Sequence, residues 1–181
     1  ASFLAFFKAW VDDPMRHLPR SMRDHWMGEY VTRFRNVVPD DPYRYALYRI
    51  MGRFDVTKKF PTPLVLSTEN WLWLQLCLIS ETPAGDSHAP ALQSYTLQDL
   101  ANKLEKYGEA HFDPKGHRPL HYFQLLLLVG RFENAVAFLC SRPAYQVDAV
   151  HFAIALTYYG LLRVSSAAQA PSLDLISVSN D

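Results

Sequence analysis

The feature that most constrains the fold is the run Leu125-Leu-Leu-Leu-Val-Gly-Arg-Phe-Glu-Asn-Ala-Val-Ala-Phe-Leu139. An apolar helix runs into Gly130, and a second helix restarts almost at once with Phe132, Ala135, Val136 and Leu139 at spacings of three, four and seven. Apolar residues at that period line one face of a helix. Two helices joined by so short a turn must fold back on each other, which is the unit from which helical solenoids are stacked. Such a unit presents surface to other proteins and carries no chemistry of its own.

The same punctuation recurs along the 181 residues. Residues 3–7, Phe-Leu-Ala-Phe-Phe, read as the end of an apolar helix, and the chain opens on Ala1, so a piece of a longer protein is expected. Asp12-Asp-Pro14 breaks that helix. Ser21-Met-Arg-Asp24 fits a capping box, and Met22, Trp26, Tyr30 and Phe34 mark one face of a helix to about Asn36. Asp40-Asp-Pro42 starts the next, with Tyr43, Ala46, Leu47 and Ile50 as its expected buried stripe and Gly52 as its end. Residues 54–66 hold two prolines and read as a loop. Ser67 or Thr68 then caps a helix containing Trp71 and Trp73, apolar nearly all round and so expected to be covered on both sides.

Residues 82–95 read as a long mobile connection. Thr96-Leu-Gln-Asp99 is a second capping box, followed by Leu97, Leu100, Ala101 and Leu104 and stopped by Gly108. Arg118-Pro119 opens the helix leading to Gly130, its partner runs to about Arg142, and Asp148 is expected to cap a last helix through Arg163. The reading is all α: an irregular α-helical solenoid of antiparallel helix pairs over residues 1–164. Residues 165–181 form a Ser/Ala-rich tail or connection to a next helix, with a possible short helix over 173–178. Gly-Arg-Phe occurs at 52–54 and 130–132, an echo without a measurable repeat period.

Hydrophobic content of 49% against 20% charge fits a folded chain. Net charge is zero but uneven: residues 1–60 hold 11 Lys and Arg against 7 Asp and Glu. The arginines at 16, 20, 23, 33, 35, 44, 49 and 53 are interleaved with acids, which predicts a solvated helix face rather than a nucleic-acid surface. Cys77 and Cys140 each lie inside an apolar helical run and read as reduced core thiols of a cytosolic or nuclear protein. No basic segment followed by a cleavable apolar region is present, and no apolar run reaches the ~18–20 residues of a membrane span; the longest, Ala149 to Leu162, is expected to be a buried helix.

Two clusters carry side chains capable of chemistry. His117 and His121 are four apart with His111 upstream, but Pro119 intervenes and further ligands lack a source, so surface or capping histidines are expected. Glu105, Glu109 and Asp113 flank Gly108 at a helix end, where carboxylates are ordinarily solvated and acid–base work is not expected. Trp71, Trp73, Tyr158 and Tyr159 are candidate anchors of a groove for a partner helix, weighed against plain core packing. No residue is assigned a catalytic, cofactor-binding or metal-binding role, and no numbered position is assigned to a partner.

Five segments in order resemble one family. They are Pro42-Tyr-Arg-Tyr-Ala-Leu-Tyr-Arg-Ile-Met-Gly-Arg-Phe-Asp-Val56, Glu69-Asn-Trp-Leu-Trp-Leu-Gln-Leu76, Tyr107-Gly-Glu-Ala-His-Phe112, Leu120-His-Tyr-Phe-Gln124 with residues 130–139, and Ala149-Val-His-Phe-Ala-Ile-Ala-Leu-Thr-Tyr-Tyr-Gly-Leu-Leu-Arg163. Together they resemble the nucleoporin-interacting component family, the large inner-ring scaffold nucleoporins of the nuclear pore complex. The resemblance implies an elongated α-helical solenoid in the nuclear envelope. It implies a structural, non-enzymatic role in pore assembly and nucleocytoplasmic transport. It implies other nucleoporins as partners, including an adaptor nucleoporin that binds the solenoid by a short motif. Nothing here resembles the family's N-terminal coiled-coil region, so partners of that region do not transfer to these residues. The competing readings are a helical-repeat peptide-binding adaptor unrelated to the pore, disfavoured by the uneven helix spacing, and an enzyme using residues 111–121.

Overall fold

The structure, a computed structural model, describes residues 3–13, 18–34, 41–80 and 95–163. Among the described residues there are helices and turns and no strand, and no helix long and apolar enough to cross a membrane. The chain divides into two compact units, residues 1–97 and 98–181.

The first unit holds α1 (Phe3–Asp12), α2 (Arg20–Phe34), α3 (Pro42–Gly52), a 3₁₀ turn (Thr62–Leu64) and α4 (Thr68–Leu78). Its core is aromatic: Phe6, Trp26, Tyr30, Tyr45, Tyr48 and Phe54 cluster with Leu18 and Met51, and Trp10, Met22 and Phe34 pack around them. The stripe read on α2 therefore faces inward. Trp26 lies flat on Tyr48, ring centroids 4.1 Å apart, and its indole N–H donates to the Tyr48 carbonyl at 3.2 Å. Stacking and a satisfied polar edge together make this a specific α2–α3 contact.

Several boundaries differ from expectation. α2 starts at Arg20, because the Pro19 carbonyl accepts the first turn's bond from the Arg23 N–H at 2.9 Å; Ser21 lies inside that turn and is not the cap. Its end near residue 36 falls outside the described residues. Asp41 caps α3 as expected, its carboxylate accepting from the Tyr43 and Arg44 N–H groups. The buried stripe of α3 is not Tyr43 and Leu47, which are exposed. It is Tyr45, Tyr48 and Met51, which meet the aromatics of α2, with Ala46, Arg49 and Ile50 beside them. Gly52 is the last helical residue, and the left-handed cap is Arg53 at φ 54°.

Ser67 caps α4 through its hydroxyl, which accepts from the Asn70 N–H at 3.2 Å. Leu72, Leu74, Gln75 and Leu78 are buried, but Trp73 is 61% exposed, so α4 is left uncovered on one side rather than enclosed. Tyr95 is not part of a mobile connection: it is buried, donates to Gln75 Oε1 at 2.9 Å, and its carbonyl accepts from the Ser80 N–H. Residues 82–94 of that reading lie outside the described residues.

The second unit contains α5 (Leu97–Tyr107), α6 (Glu109–Phe112), α7 (His121–Leu128), α8 (Phe132–Cys140), a 3₁₀ turn (Pro143–Tyr145) and α9 (Gln146–Tyr158). α5 begins directly after Thr96 and buries Leu100, Ala101 and Leu104 as its spacing requires. Gly108, at φ 69°, ends it. α7 closes in a Schellman turn: the Gly130 N–H donates to the Leu127 carbonyl and the Arg131 N–H to the Leu126 carbonyl, at 3.1 and 2.9 Å. Gly130 sits at φ 76°, which a side chain would strain.

The chain thus reverses and α8 packs back on α7. α9 packs on α8 in turn, pinned at both ends. Gln146 Nε2 donates to the Cys140 carbonyl where α8 stops, and Glu133, in the first turn of α8, accepts from the Arg163 N–H beyond the end of α9. The pair is therefore antiparallel. α9 begins at Gln146, which leaves Asp148 within its first turn, favourable for the helix dipole but not a cap. It ends at Tyr158, short of Arg163, because Gly160 and Leu161 repeat the Schellman closure onto Thr157 and Leu156. Residues 164–181 are outside the described residues.

Candidate interaction surfaces

The arginines do not all decorate a solvated face. Arg20, Arg33 and Arg44 are exposed, Arg16 and Arg35 lie outside the described residues, and Arg23 and Arg53 are half-buried. Arg49 is 0% exposed. Its guanidinium donates to the Asp55 and Lys58 carbonyls at 2.7 and 2.8 Å, to the Lys59 carbonyl at 3.3 Å and to the Phe54 carbonyl at 3.5 Å. The Phe60 ring lies 3.9 Å from its Cζ. A planar five-donor fork suits such a cluster of main-chain acceptors. Burial pushes its pKa down, opposed by the charges and hydroxyls of Tyr45, Tyr30 and Asp55. The connection after α3 is consequently a fixed wall, with Phe54, Val56 and Phe60 buried in the core.

That wall and α2 form a cleft of about 400 Å³ lined by Met27, Tyr30, Val31, Phe54, Asp55 and Lys58. Asp55 Oδ2 accepts from the Tyr30 hydroxyl at 2.7 Å and from Lys58 Nζ at 2.5 Å. Burial alone would raise the Asp55 pKa, but the Lys58 and Tyr30 bonds hold it below its usual range. Burial, then hydrogen bonding to Tyr45 and Asp55, pushes the Tyr30 hydroxyl far up. The Tyr48 hydroxyl of α3 donates to Glu29 of α2, which lowers the Glu29 pKa. These groups bond to one another, an arrangement that holds the shape of the cleft.

In the second unit the imidazoles are dispersed. His111 stacks on Tyr107 at 4.6 Å and is exposed. His117 is exposed, and Asp113 accepts from the His117 and Arg118 N–H groups at 3.0 and 2.6 Å, shaping the turn before α7. His121 is neither a surface nor a capping residue: it is 4% exposed at the start of α7, with Nε2 lacking a hydrogen-bond partner. Among the described residues no group of three or more His, Cys, Asp or Glu is placed to hold a metal.

The carboxylates are not freely solvated. Glu105 Oε1 lies 2.9 Å from Arg131 Nε and accepts from Asn134 Nδ2 at 2.9 Å. Glu109 pairs with Arg142, whose guanidinium stands 4.9 Å from the Phe138 ring. They brace α5 and α6 against both ends of α8. Burial and the charges of Glu105 and Glu109 raise the pKa of Tyr122 beside them.

The four aromatic candidates divide between the units. On α4 Trp71 is half-buried and Trp73 exposed; at the end of α9 Tyr158 and Tyr159 are 83% and 73% exposed, their rings edge-on at 5.3 Å. The tyrosines lie at the end of a helix that the sequence reading takes to be buried, and the structure corrects this: of the described helices α8 alone packs extensively on it. α9 fully buries only Ala149. Val147, Val150, Ile154 and Tyr158, at spacings of three, four and four, are all more than half exposed on the side away from Ala149. The signal was legible: a run apolar on both faces needs two neighbours, and α8 supplies one. Cys77 and Cys140 are half-buried free thiols, one in each unit, and burial raises the Cys77 pKa.

Comparison with known proteins matches this architecture. A family model described as Nic96: Nup93/Nic96 matches residues 1–180. Nucleoporin NIC96 of Chaetomium thermophilum is 40% identical over 177 residues, 93% of this chain and 16% of that protein. The "Meiotically up-regulated gene 87 protein" of Schizosaccharomyces pombe is 37% identical over 175 residues, 97% of this chain and 20% of its own length. Nuclear pore complex protein Nup93 of Danio rerio is 33% identical over 171 residues, 94% of this chain and 20% of that protein. A crystal structure of Chaetomium thermophilum Nic96 SOL superposes with a TM-score of 0.77 at 38% identity, covering 93% of this chain and 24% of that one. The chain thus spans a fifth or less of the length of these curated relatives.

Proposed function

The chain belongs to the Nup93/Nic96 family, and from that premise we propose that it is a structural segment of the nuclear pore complex scaffold. Residues 1–164 form part of an α-helical solenoid, and residues 165–181 a tail or connection. The segment works by contact and not by catalysis, at the pore in the nuclear envelope. Its partners are other nucleoporins, among them an adaptor that docks by a short motif. The observation that carries this reading is the antiparallel succession α7–α8–α9, each helix braced by its chain neighbour and the last left with an apolar side open. In a stack of this kind stability comes from nearest-neighbour faces and function from the faces left over.

Crosslinking mass spectrometry on the tagged chain in its native complex tests the proposal. Crosslinks from these residues to other nucleoporins, with a rim of signal at the nuclear envelope by microscopy, are the expected result. Diffuse signal with crosslinks confined to proteins outside the pore would overturn it.

A further inference from the structure

Two depressions flank the outer side of α2. One is the cleft against the fixed wall, where Met27 and Val31, 40% and 37% exposed, lie across from the Phe54 ring and the Asp55–Lys58 pair. The other is a shallow groove of about 580 Å³ lined by His25, Gly28, Glu29, Thr32 and Arg33. At 3.6 residues per turn Gly28 stands between them, on the side of α2 opposite the buried Trp26 and Tyr30. Nothing lies within 4 Å of where its Cβ would be. A glycine inside a helix costs stability relative to alanine, and among the described residues no group occupies the room it leaves.

The cleft is built before anything enters it. Asp55 holds φ 48°, a left-handed conformation that a side chain makes costly. It stays there because its carbonyl accepts from Arg49 and its carboxylate from Tyr30. A preformed wall spares a ligand the cost of ordering it. The charges then select the ligand. Both acids along the depressions are engaged within the chain: Asp55 accepts from Tyr30 and Lys58, and Glu29 from Tyr48. Asp24, on the same side of α2, stands beside Arg23. The cations reach outward. Arg33 is exposed, and Lys58 is 58% exposed, with an ammonium that has further N–H groups beyond the one given to Asp55.

We propose that this saddle docks a short acidic segment of another protein. The segment's backbone crosses α2 over Gly28, one bulky apolar side chain enters the cleft between Val31 and Phe54, and flanking carboxylates meet Lys58 and Arg33. The inference rests on the reading above that the chain works by contact.

The first test titrates the full chain into a fluorescein-labelled acidic peptide with one central phenylalanine, followed by fluorescence anisotropy. Saturable binding with a Kd of about 10–100 μM is expected, weakened about tenfold when the phenylalanine becomes alanine or the acids become lysines. Gly28→Leu is expected to abolish binding with helical circular dichroism intact, because leucine suits a helix and meets only open space there. Lys58→Ser should weaken binding and flatten its dependence on salt. The second test is zero-length carbodiimide coupling in the native complex, which joins an ammonium to a carboxylate it touches. Lys58 is expected to couple to a carboxylate of another protein. The proposal is overturned by absence of saturable peptide binding, by equal binding of the lysine-flanked peptide, or by unchanged affinity in Gly28→Leu. It is equally overturned if Lys58 couples only to Asp55 or to another part of its own polypeptide. Crosslinks to nucleoporins from other residues would keep the pore assignment in each of those cases.

Discussion

The Phe54 ring covers the α-carbon of Gly52 so closely that a Cβ there would sit 2.2 Å from the ring's Cε2. Gly52 therefore stays helical, and the left-handed turn that usually falls to glycine passes to Arg53. Gly52→Ala is expected to destabilise the first unit by about 2–3 kcal/mol, because a buried aromatic on a short tether has nowhere to retreat. Gly28, in the middle of α2 with nothing within 4 Å of its would-be Cβ, is the control. Gly28→Ala should stabilise by up to ~1 kcal/mol through helix propensity. Urea denaturation of both variants reads the two signs.

Removing the Arg49 guanidinium leaves buried carbonyls without donors. Arg49→Met is expected to cost about 3 kcal/mol or more and to loosen the turn from Phe54 to Phe60. Arg49→Lys should not rescue it, since an ammonium cannot span several acceptors while stacking on Phe60. Thermal denaturation gives the cost. Near-ultraviolet circular dichroism, sensitive to Tyr45 and Phe60, reports the loosening.

Acid and alkali should each weaken the first unit for opposite reasons. Asp55 and Glu29 have folded-state pKa values below their ordinary ones, so the unfolded state binds protons first. Their contribution is present at neutral pH and is lost as pH falls below about 4. Tyr30 and Tyr48 are shifted upward, so the unfolded state releases protons first and stability is lost as pH rises past about 10. Denaturation midpoints across pH should fall at both ends, and Asp55→Asn should flatten the acid limb.

In the second unit the Glu105–Arg131 pair is about two-thirds buried on each side. A double-mutant cycle with Glu105→Gln and Arg131→Met is expected to return a coupling of ~0.5–1 kcal/mol, reduced by raised salt because neither group is fully withdrawn from solvent. A coupling indistinguishable from zero would mean that this ion pair does not help to hold α5 against α8.

The parts of the fold legible in the sequence are those set by local rules. The Asp41–Pro42 start, the Ser67 cap, the α2 stripe and the reversal at Gly130 depend on residues within one turn of each other. What the sequence hid depends on distance. Tyr43 looked as apolar as Tyr45, and only the position of α2 decides which ring is covered. Arg49 was read with its exposed neighbours because nothing local announces that main-chain carbonyls six to ten residues onward will enclose it. Glu105 and Glu109 were placed at a solvated helix end, yet their partners Arg131 and Arg142 arrive from α8 and its far flank. The same gap concealed the stripe on α9, whose exposure is a statement about what does not pack on it.

The wrap around Arg49 has an evolutionary corollary. Its acceptors are peptide oxygens, present whatever side chains stand at 55, 58 and 59. Lineages could rewrite the exposed side chains at 58 and 59 and keep the hold on Arg49, provided they inherit one cation and the aromatic plate beneath it.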